Sequence, residues 1–156
     1  MGNRAIIAAS GYTTDPAIYV HWNGSPETVL AYLDAAKELG FRDPTADSYG
    51  LAYLQALIAM HIGDGTGTGT GIGIGQRANR DACEHDNGCY VLGPGWTIKS
   101  RRNVPAYAKR NHMAQTTVAE LTDEQRARYE RAKATILRMW RAAQAAAAAP
   151  SEEAEA

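Results

Sequence analysis

The chain of 156 residues has little cysteine, no membrane-length apolar run and no catalytic signature, and each lack excludes something. Two cysteines, Cys83 and Cys89, cannot build a disulfide framework. The best apolar stretch, Leu51 to Ile62, falls short of the roughly 18 residues a membrane span needs, and Gln55 and His61 interrupt it. Behind Arg4 the apolar run covers only Ala5–Ala9, so no secretory signal is read and a cytosolic location is expected. The sequence has no G-x-S-x-G elbow, no H-E-x-x-H, no Gly-Lys-Ser/Thr phosphate loop and no distinctive carboxylate pair. The four histidines are scattered. No catalytic residue is assigned, and the chain reads as non-enzymatic. What is present is a 45% hydrophobic content, enough to exclude a wholly disordered chain, on a length suited to one domain plus a tail.

Charge is distributed unevenly. The net charge of −1 is a cancellation: residues 1–94 carry five Lys/Arg against ten Asp/Glu, and residues 95–146 carry eleven against four. Three glutamates follow in the last six residues. An anionic partner for the basic part is one meaning of such asymmetry. The strongest basic run is Lys99, Arg101 and Arg102, and Arg131 and Arg138 lie farther on. Phosphate contacts from these side chains would supply non-specific nucleic-acid affinity. Against that, Arg128, Arg131 and Arg138 point in different directions around a predicted helix. Glu124 and Glu130 fall at helical spacing from Arg128 and Lys133, the pattern of a solvated amphipathic helix.

Arg4 to Ser10 reads as a first strand and Ala17 to Trp22 as a second, joined antiparallel by a short turn. Ser25-Pro26-Glu27 opens a helix with a hydroxyl N-cap, proline at N1 and a carboxylate in the first turn; Gly40 closes it. A second helix begins at Asp47 or Ser48 and buries Leu51, Leu54, Leu57, Ile58 and Ile62. From Gly63 to Gly75 every odd position is glycine, so an extended chain would put all glycines on one face and Thr68, Thr70, Ile72 and Ile74 on the other. A strand is predicted from about residue 70 to 76. A hairpin around Asp86-Asn87-Gly88 leads into a strand at Cys89–Leu92, and Trp96–Ser100 is the last strand. Thr122–Gln125 is a capping box opening a long helix with Tyr129, Ala132, Ile136, Met139, Trp140 and Ala143 as its stripe.

The fold class predicted is α+β. A small antiparallel or mixed sheet of about five strands packs on two helices in a core domain at 1–102. A linker at 103–118, an appended basic amphipathic helix at 119–149 and a disordered acidic tail at 150–156 follow. The apolar stripe of the last helix predicts a homo-oligomer formed through it.

Three motifs carry candidate chemistry. His21-Trp22-Asn23 places an imidazole and an indole at a strand end before a helix, a common location for binding sites. The alternative is that Trp22 caps the core, His21 satisfies a hydrogen bond and Asn23-Gly24 turns the chain. The glycine face, with Thr68 and Thr70, would let a backbone, an aromatic ring or a flat ligand approach closely. Cys83, His85 and Cys89 are the candidate zinc ligands, with His21, His61 or Asp86 as a fourth, although the spacing lacks a Cys-x₂-Cys hook. Free thiols and a Cys83–Cys89 disulfide are the other readings, and no cofactor besides zinc is suggested.

Several of these segments occur together in a known pattern. Gly2-Asn-Arg-Ala-Ile-Ile, Ile18-Tyr-Val-His-Trp-Asn-Gly24, Val29 to Leu33, Tyr49-Gly50, Ile72-Gly-Ile-Gly75, Asp86-Asn-Gly-x-Tyr90 and Trp96-x-Ile98 follow one another in order. The chain thereby resembles a group of small, mostly uncharacterised proteins encoded by phages and prophages of Gram-positive bacteria, over about residues 1–102. The long glycine-threonine stretch and the basic C-terminal helix depart from the group. The resemblance brings no activity and no catalytic residue. It implies an accessory phage protein in the host bacterial cytoplasm. That context, the lack of catalytic signatures and the exposed-looking last helix point to binding of a host macromolecule, foremost a host protein, with counter-defence as one such role and no membrane partner. A nucleotide- or nucleic-acid-binding module, and a cysteine- or metal-dependent enzyme, are the alternatives.

Overall fold

Ala5–Ala8 (β1) is a run of small and branched apolar residues with no polar side, as a strand buried on both faces requires. In the computed structural model, which describes residues 3–9, 15–63, 71–76, 86–110 and 113–149, all four are at most 1% exposed. Around β1, strands β2 (Pro16–Val20), β3 (Ile72–Gln76), β4 (Cys89–Gly93) and β5 (Thr97–Arg102) form one mixed sheet in the order β3-β2-β1-β4-β5. The predicted α+β class and five-stranded sheet are therefore observed.

The first hairpin is antiparallel as expected, with Ala5 opposite Val20 and Ile7 opposite Ile18. Among the described residues the second predicted hairpin is not formed. β4 has β1 beside it in parallel and β5 beside it antiparallel, so the turn at Asp86–Gly88 cannot fold a further strand onto it. That turn instead feeds β4 into register with β1. Arg4 pairs with Asp86 at 3.1 Å, the Asn87 amide donates to the Arg4 carbonyl at 3.0 Å, and Ile6 N–H donates to the Gly88 carbonyl at 3.0 Å. Asn87 is fully buried, its side-chain amide donating to Asn3 Oδ1 and the Arg4 carbonyl. Gly88, at φ +71°, has no room for a side chain: a Cβ would collide with the Arg102 carbonyl.

Helices α1 (Pro26–Glu38), α2 (Ser48–Ile62) and α4 (Asp123–Ala148) pack on one face of the sheet, over Ala5, Ile7, Ile18, Val20, Tyr90 and Leu92. The opposite face holds Ile6, Ala8, Ala17, Cys89 and Val91, also buried. Ser25 stands at the α1 N-cap, but its hydroxyl faces Thr28 Oγ1 at 3.2 Å and makes no side-chain cap. Asp47 does cap α2, accepting from the Tyr49 amide at 2.9 Å. The Thr122 box closes reciprocally on α4, at 3.3 Å and 3.0 Å.

The stretch predicted as a plain linker contains a short helix, α3 (Ala106–Arg110), a buried Gln115 and a 3₁₀ turn at Val118–Glu120. α4 is appended in sequence but belongs to the core in space. Tyr129, Ile136 and Leu137 are buried in the same apolar cluster as α1 and α2, and Trp140 meets Phe41 edge-on at 5.1 Å. Of the stripe expected to drive homo-oligomerisation, Tyr129 and Ile136 are buried within the chain, Ala132, Met139 and Trp140 are partly buried, and Ala143 is exposed. Four cross-helix pairs flank it: Arg128 to Glu27 (2.9 Å), Tyr129 Oη to Asp34 (2.6 Å), Lys133 to Glu38 (3.1 Å) and Arg141 to Glu38 (2.9 Å). Lys133 and Arg141 together hold the Glu38 carboxyl below the usual carboxylate range. Lys133 therefore serves Glu38 on α1 rather than Glu130 on its own helix. The acidic tail lies outside the described residues. Because Ile136 is fully buried, Ile136→Ala is expected to destabilise the whole chain by about 2–5 kcal/mol in denaturant unfolding, as a core truncation does. A change within about 0.5 kcal/mol would mark α4 as peripheral.

Candidate functional site

At the end of β2, the His21 Nδ1 shares a 2.6 Å hydrogen bond with the Tyr19 hydroxyl, and the Trp22 ring meets the His21 ring edge-on at 4.8 Å. Trp22 is 48% exposed and lies against Gly71, where a Cβ would come within 2.8 Å of Trp22 Cδ1. Here glycine does admit an aromatic ring, one of the roles expected of the glycine face. Gly73 and Gly75 lie opposite Tyr19 and Ala17, while Ile72 and Ile74 lie opposite Val20 and Ile18 on the helix side. Thr68 and Thr70 lie outside the described residues. Asn23 adopts φ +62°, and a Cβ on Gly24 would stand 2.7 Å from that of Ala5. Behind this corner, buried Tyr32 shares a 2.8 Å bond with His61 Nδ1, and the Asn23 side chain hydrogen-bonds the same phenol. Each imidazole thus uses its Nδ1 on a tyrosine hydroxyl, so the corner reads as a structural joint.

The predicted basic run is divided by strand alternation. Lys99 and Arg102 are exposed, but Arg101 lies opposite Tyr90 and turns to the helix side. Its guanidinium stacks 3.6 Å over the Tyr90 ring and donates to the carbonyls of Gln115 (3.0 Å) and Asn87. Burial pulls its pKa below the ordinary guanidinium value. On α4, Arg131 and Arg138 stand two turns apart and share the solvent side, whereas Arg128 turns inward to Glu27. The three do not simply scatter around the helix. Cys89 is fully buried; Cys83 and His85 lie outside the described residues. Among the described residues no group of three or more His, Cys, Asp and Glu could hold a metal ion. No helix among them is long and apolar enough to cross a membrane.

The feature that sequence reading missed is the outer side of α2. Ser48–Ile62 contains no Asp, Glu, Lys or Arg, although the helix lies on the surface. Its inner stripe, Leu51, Leu54, Leu57 and Ile58, is buried as predicted. Its outer positions are Ser48, Tyr49, Ala52, Tyr53 and Ala56, with Tyr49 62% and Tyr53 46% exposed. Tyr53 meets Phe41 at 5.1 Å, and the Arg42 guanidinium lies 5.1 Å over the Tyr49 ring. The signal that would have found this surface is the lack of charge on the outward positions, which a search for the buried stripe passes over.

Beside this face opens a cavity of about 380 Å³. Pro16 and Ile74 line it from the sheet, Ala9 and Asp15 from beside the ends of β1 and β2, Pro44, Thr45, Ala46 and Asp47 from the preceding loop, and Ser48, Leu51 and Ala52 from α2. The loop is held rigidly. Asp43 accepts from the Thr45 hydroxyl (2.7 Å), the Thr45 amide (2.8 Å) and the Gly95 amide (2.6 Å), which together hold its carboxyl below the ordinary value. Gly50 lets the loop lie against the helix, since a Cβ there would reach 2.8 Å from Pro44 Cα. The volume falls in the range of ligand-sized pockets.

Comparison with protein-family models, with curated proteins and with solved structures gives no match to this chain.

The inward turn of Arg101 leads to a test. Arg101→Ala leaves two buried carbonyls without donors and is expected to cost about 1–3 kcal/mol in chemical denaturation. Lys99→Ala and Arg102→Ala are expected to stay within about 0.5 kcal/mol. The partly buried His61 supplies a second. Burial lowers its pKa below the ordinary 6.5, so as pH falls the unfolded chain takes up the proton first. Stability from this group is complete above about pH 6.5 and is lost as pH drops through the lowered folded value. Denaturant midpoints measured from about pH 7 to pH 5 should fall in the native chain and flatten in His61→Gln.

Proposed function

We propose that this chain is a phage-encoded accessory protein, acting in the cytoplasm of a bacterial host, that binds a host protein through the outer face of α2. One observation carries this reading: a surface helix without a single charged residue exposes Tyr49 and Tyr53 beside an open cavity. Soluble surfaces are normally dotted with charge, and tyrosine-rich, charge-depleted patches are the composition of interface cores. The resemblance of residues 1–102 to phage and prophage proteins supports the host as the source of the partner, and counter-defence is the role that this context suggests. Both imidazoles are engaged through Nδ1 by tyrosine hydroxyls, which supports a structural role for them and a binding rather than a catalytic reading of the chain.

The test is affinity purification of the tagged full chain from phage-infected bacteria, with mass spectrometry of what it holds. The wild type should retain a defined host protein. A Tyr49→Glu/Tyr53→Glu chain should retain about tenfold less or lower at unchanged melting temperature, because charge on an interface centre is poorly tolerated. An Arg131→Glu/Arg138→Glu chain should retain it fully. Equal capture by the tyrosine variant would end this reading.

Nucleic-acid binding is the second reading. Arg126, Arg131 and Arg138 favour it, exposed on α4 with no ion pair among the described residues. Arg101, turned inward beneath Gln115, takes away the centre of the predicted basic run.

A further inference from the structure

We infer that the cavity beside α2 seats one uncharged aromatic side chain, a tryptophan or phenylalanine, carried by the protein that docks on that helix. The inference rests on the host-binding reading above and names the chemistry of the contact. Size comes first. At about 380 Å³ the cavity has room for a side chain as large as an aromatic ring. Its walls come next. Pro16 and Ile74 from the sheet, Pro44 from the loop, and Leu51 and Ala52 from α2 offer apolar surface from three directions. Ile74 is 45% exposed, an unusual state for a branched residue in a strand, and an inserted ring would cover it.

Charge narrows the class further. Asp15 and Asp47 line the cavity and no Lys or Arg does, so a carboxylate or phosphate entering it would find no cation among the lining residues. Asp47 is already committed, through one oxygen to the Tyr49 amide and through the other to Arg42 at 3.1 Å. The adjoining helix face has no charge at all to hold an ionic group. A neutral ring therefore fits where an anion does not. The site is also preformed. Asp43 fixes the loop to Gly95, and Gly50 lets it lie against α2, so seating a ring requires little ordering of the receptor. A buried aromatic anchor at the centre of an uncharged patch is the arrangement from which interface affinity mainly comes.

The experiment uses the purified full chain, with indole and indole-3-acetate as probes, followed by the methyl resonances of Leu51 and Ile74 together with saturation transfer. Indole should give saturable shifts at both methyls, and indole-3-acetate should bind about tenfold more weakly or less. Ala52→Trp, at an exposed position on the cavity wall, should abolish the indole shifts while melting stays native. Ala46→Trp, from the loop side, should do the same and guards against misfolding of the first variant. No saturable shift with indole, equal binding of the anion, or retention in both filled variants would overturn the inference. A dimeric mass of the native chain that becomes monomeric in Ala52→Trp would overturn it too, by putting a second copy in the cavity. The two readings fail separately. Loss of the captured host protein in the tyrosine variant without indole binding refutes the aromatic seat alone. Indole binding with undiminished capture in that variant refutes docking on α2 alone.

Discussion

The parallel pairing of β1 with β4 is the constraint on which the rest of this structure depends. Parallel neighbours cannot be joined by a tight turn, so the chain must travel a long way between them. Here it spends that distance on β2, α1, α2 and β3 before returning at Asp86. The return is pinned by a small polar clamp, Asn87 with Asn3 and Arg4, and Arg4 with Asp86. Once β4 is seated, β5 folds back on it and directs Arg101 beneath Gln115. α4 can then close over the same face that α1 and α2 already cover.

Two surface helices solve opposite problems. α4 is amphipathic in the ordinary way: its inner stripe is buried, and its flanking arginines and lysine reach across to carboxylates on α1. Such exposed pairs add little energy singly, but arranged on both sides of an apolar seam they fix how the helix lies. α2 also buries one stripe yet presents an uncharged, tyrosine-bearing face outward. Tyr49 and Tyr53 stay largely exposed although each has one contact at the helix margin, with Arg42 and with Phe41. That surplus of exposed ring surface, next to a rigidly framed cavity, is why binding rather than catalysis is the function proposed.

Much of the architecture was legible in local sequence. The Thr122–Gln125 box, the Asp47 cap, Pro26 at a helix start and the alternation of Ile72 and Ile74 with glycine each act within a few residues, and each occurs where it was expected. Asp86-Asn87-Gly88 misled, because the same three residues that favour a hairpin also favour any sharp turn, and the partner strand lies some eighty residues earlier. The run Lys99–Arg102 looked like one basic patch, but side chains on a strand alternate, so its middle arginine faces inward. The apolar stripe of the last helix was visible in the sequence, while the surface that most of it packs against, on α1, α2 and Phe41, was not.

Hydrophobic period, caps and glycine spacing act through neighbours in the chain, so they determined the class, the element order and most of the buried stripes. The candidate site was decided in three dimensions. Its cavity is assembled from Ala9, Pro16, Pro44, Leu51 and Ile74, residues that come together only when the sheet edge, a loop and a helix meet. Its exposed tyrosines acquire meaning only once α2 is known to turn them outward. Local order is written in short-range sterics and hydrogen bonds, whereas a binding surface is defined by which side chains packing leaves uncovered.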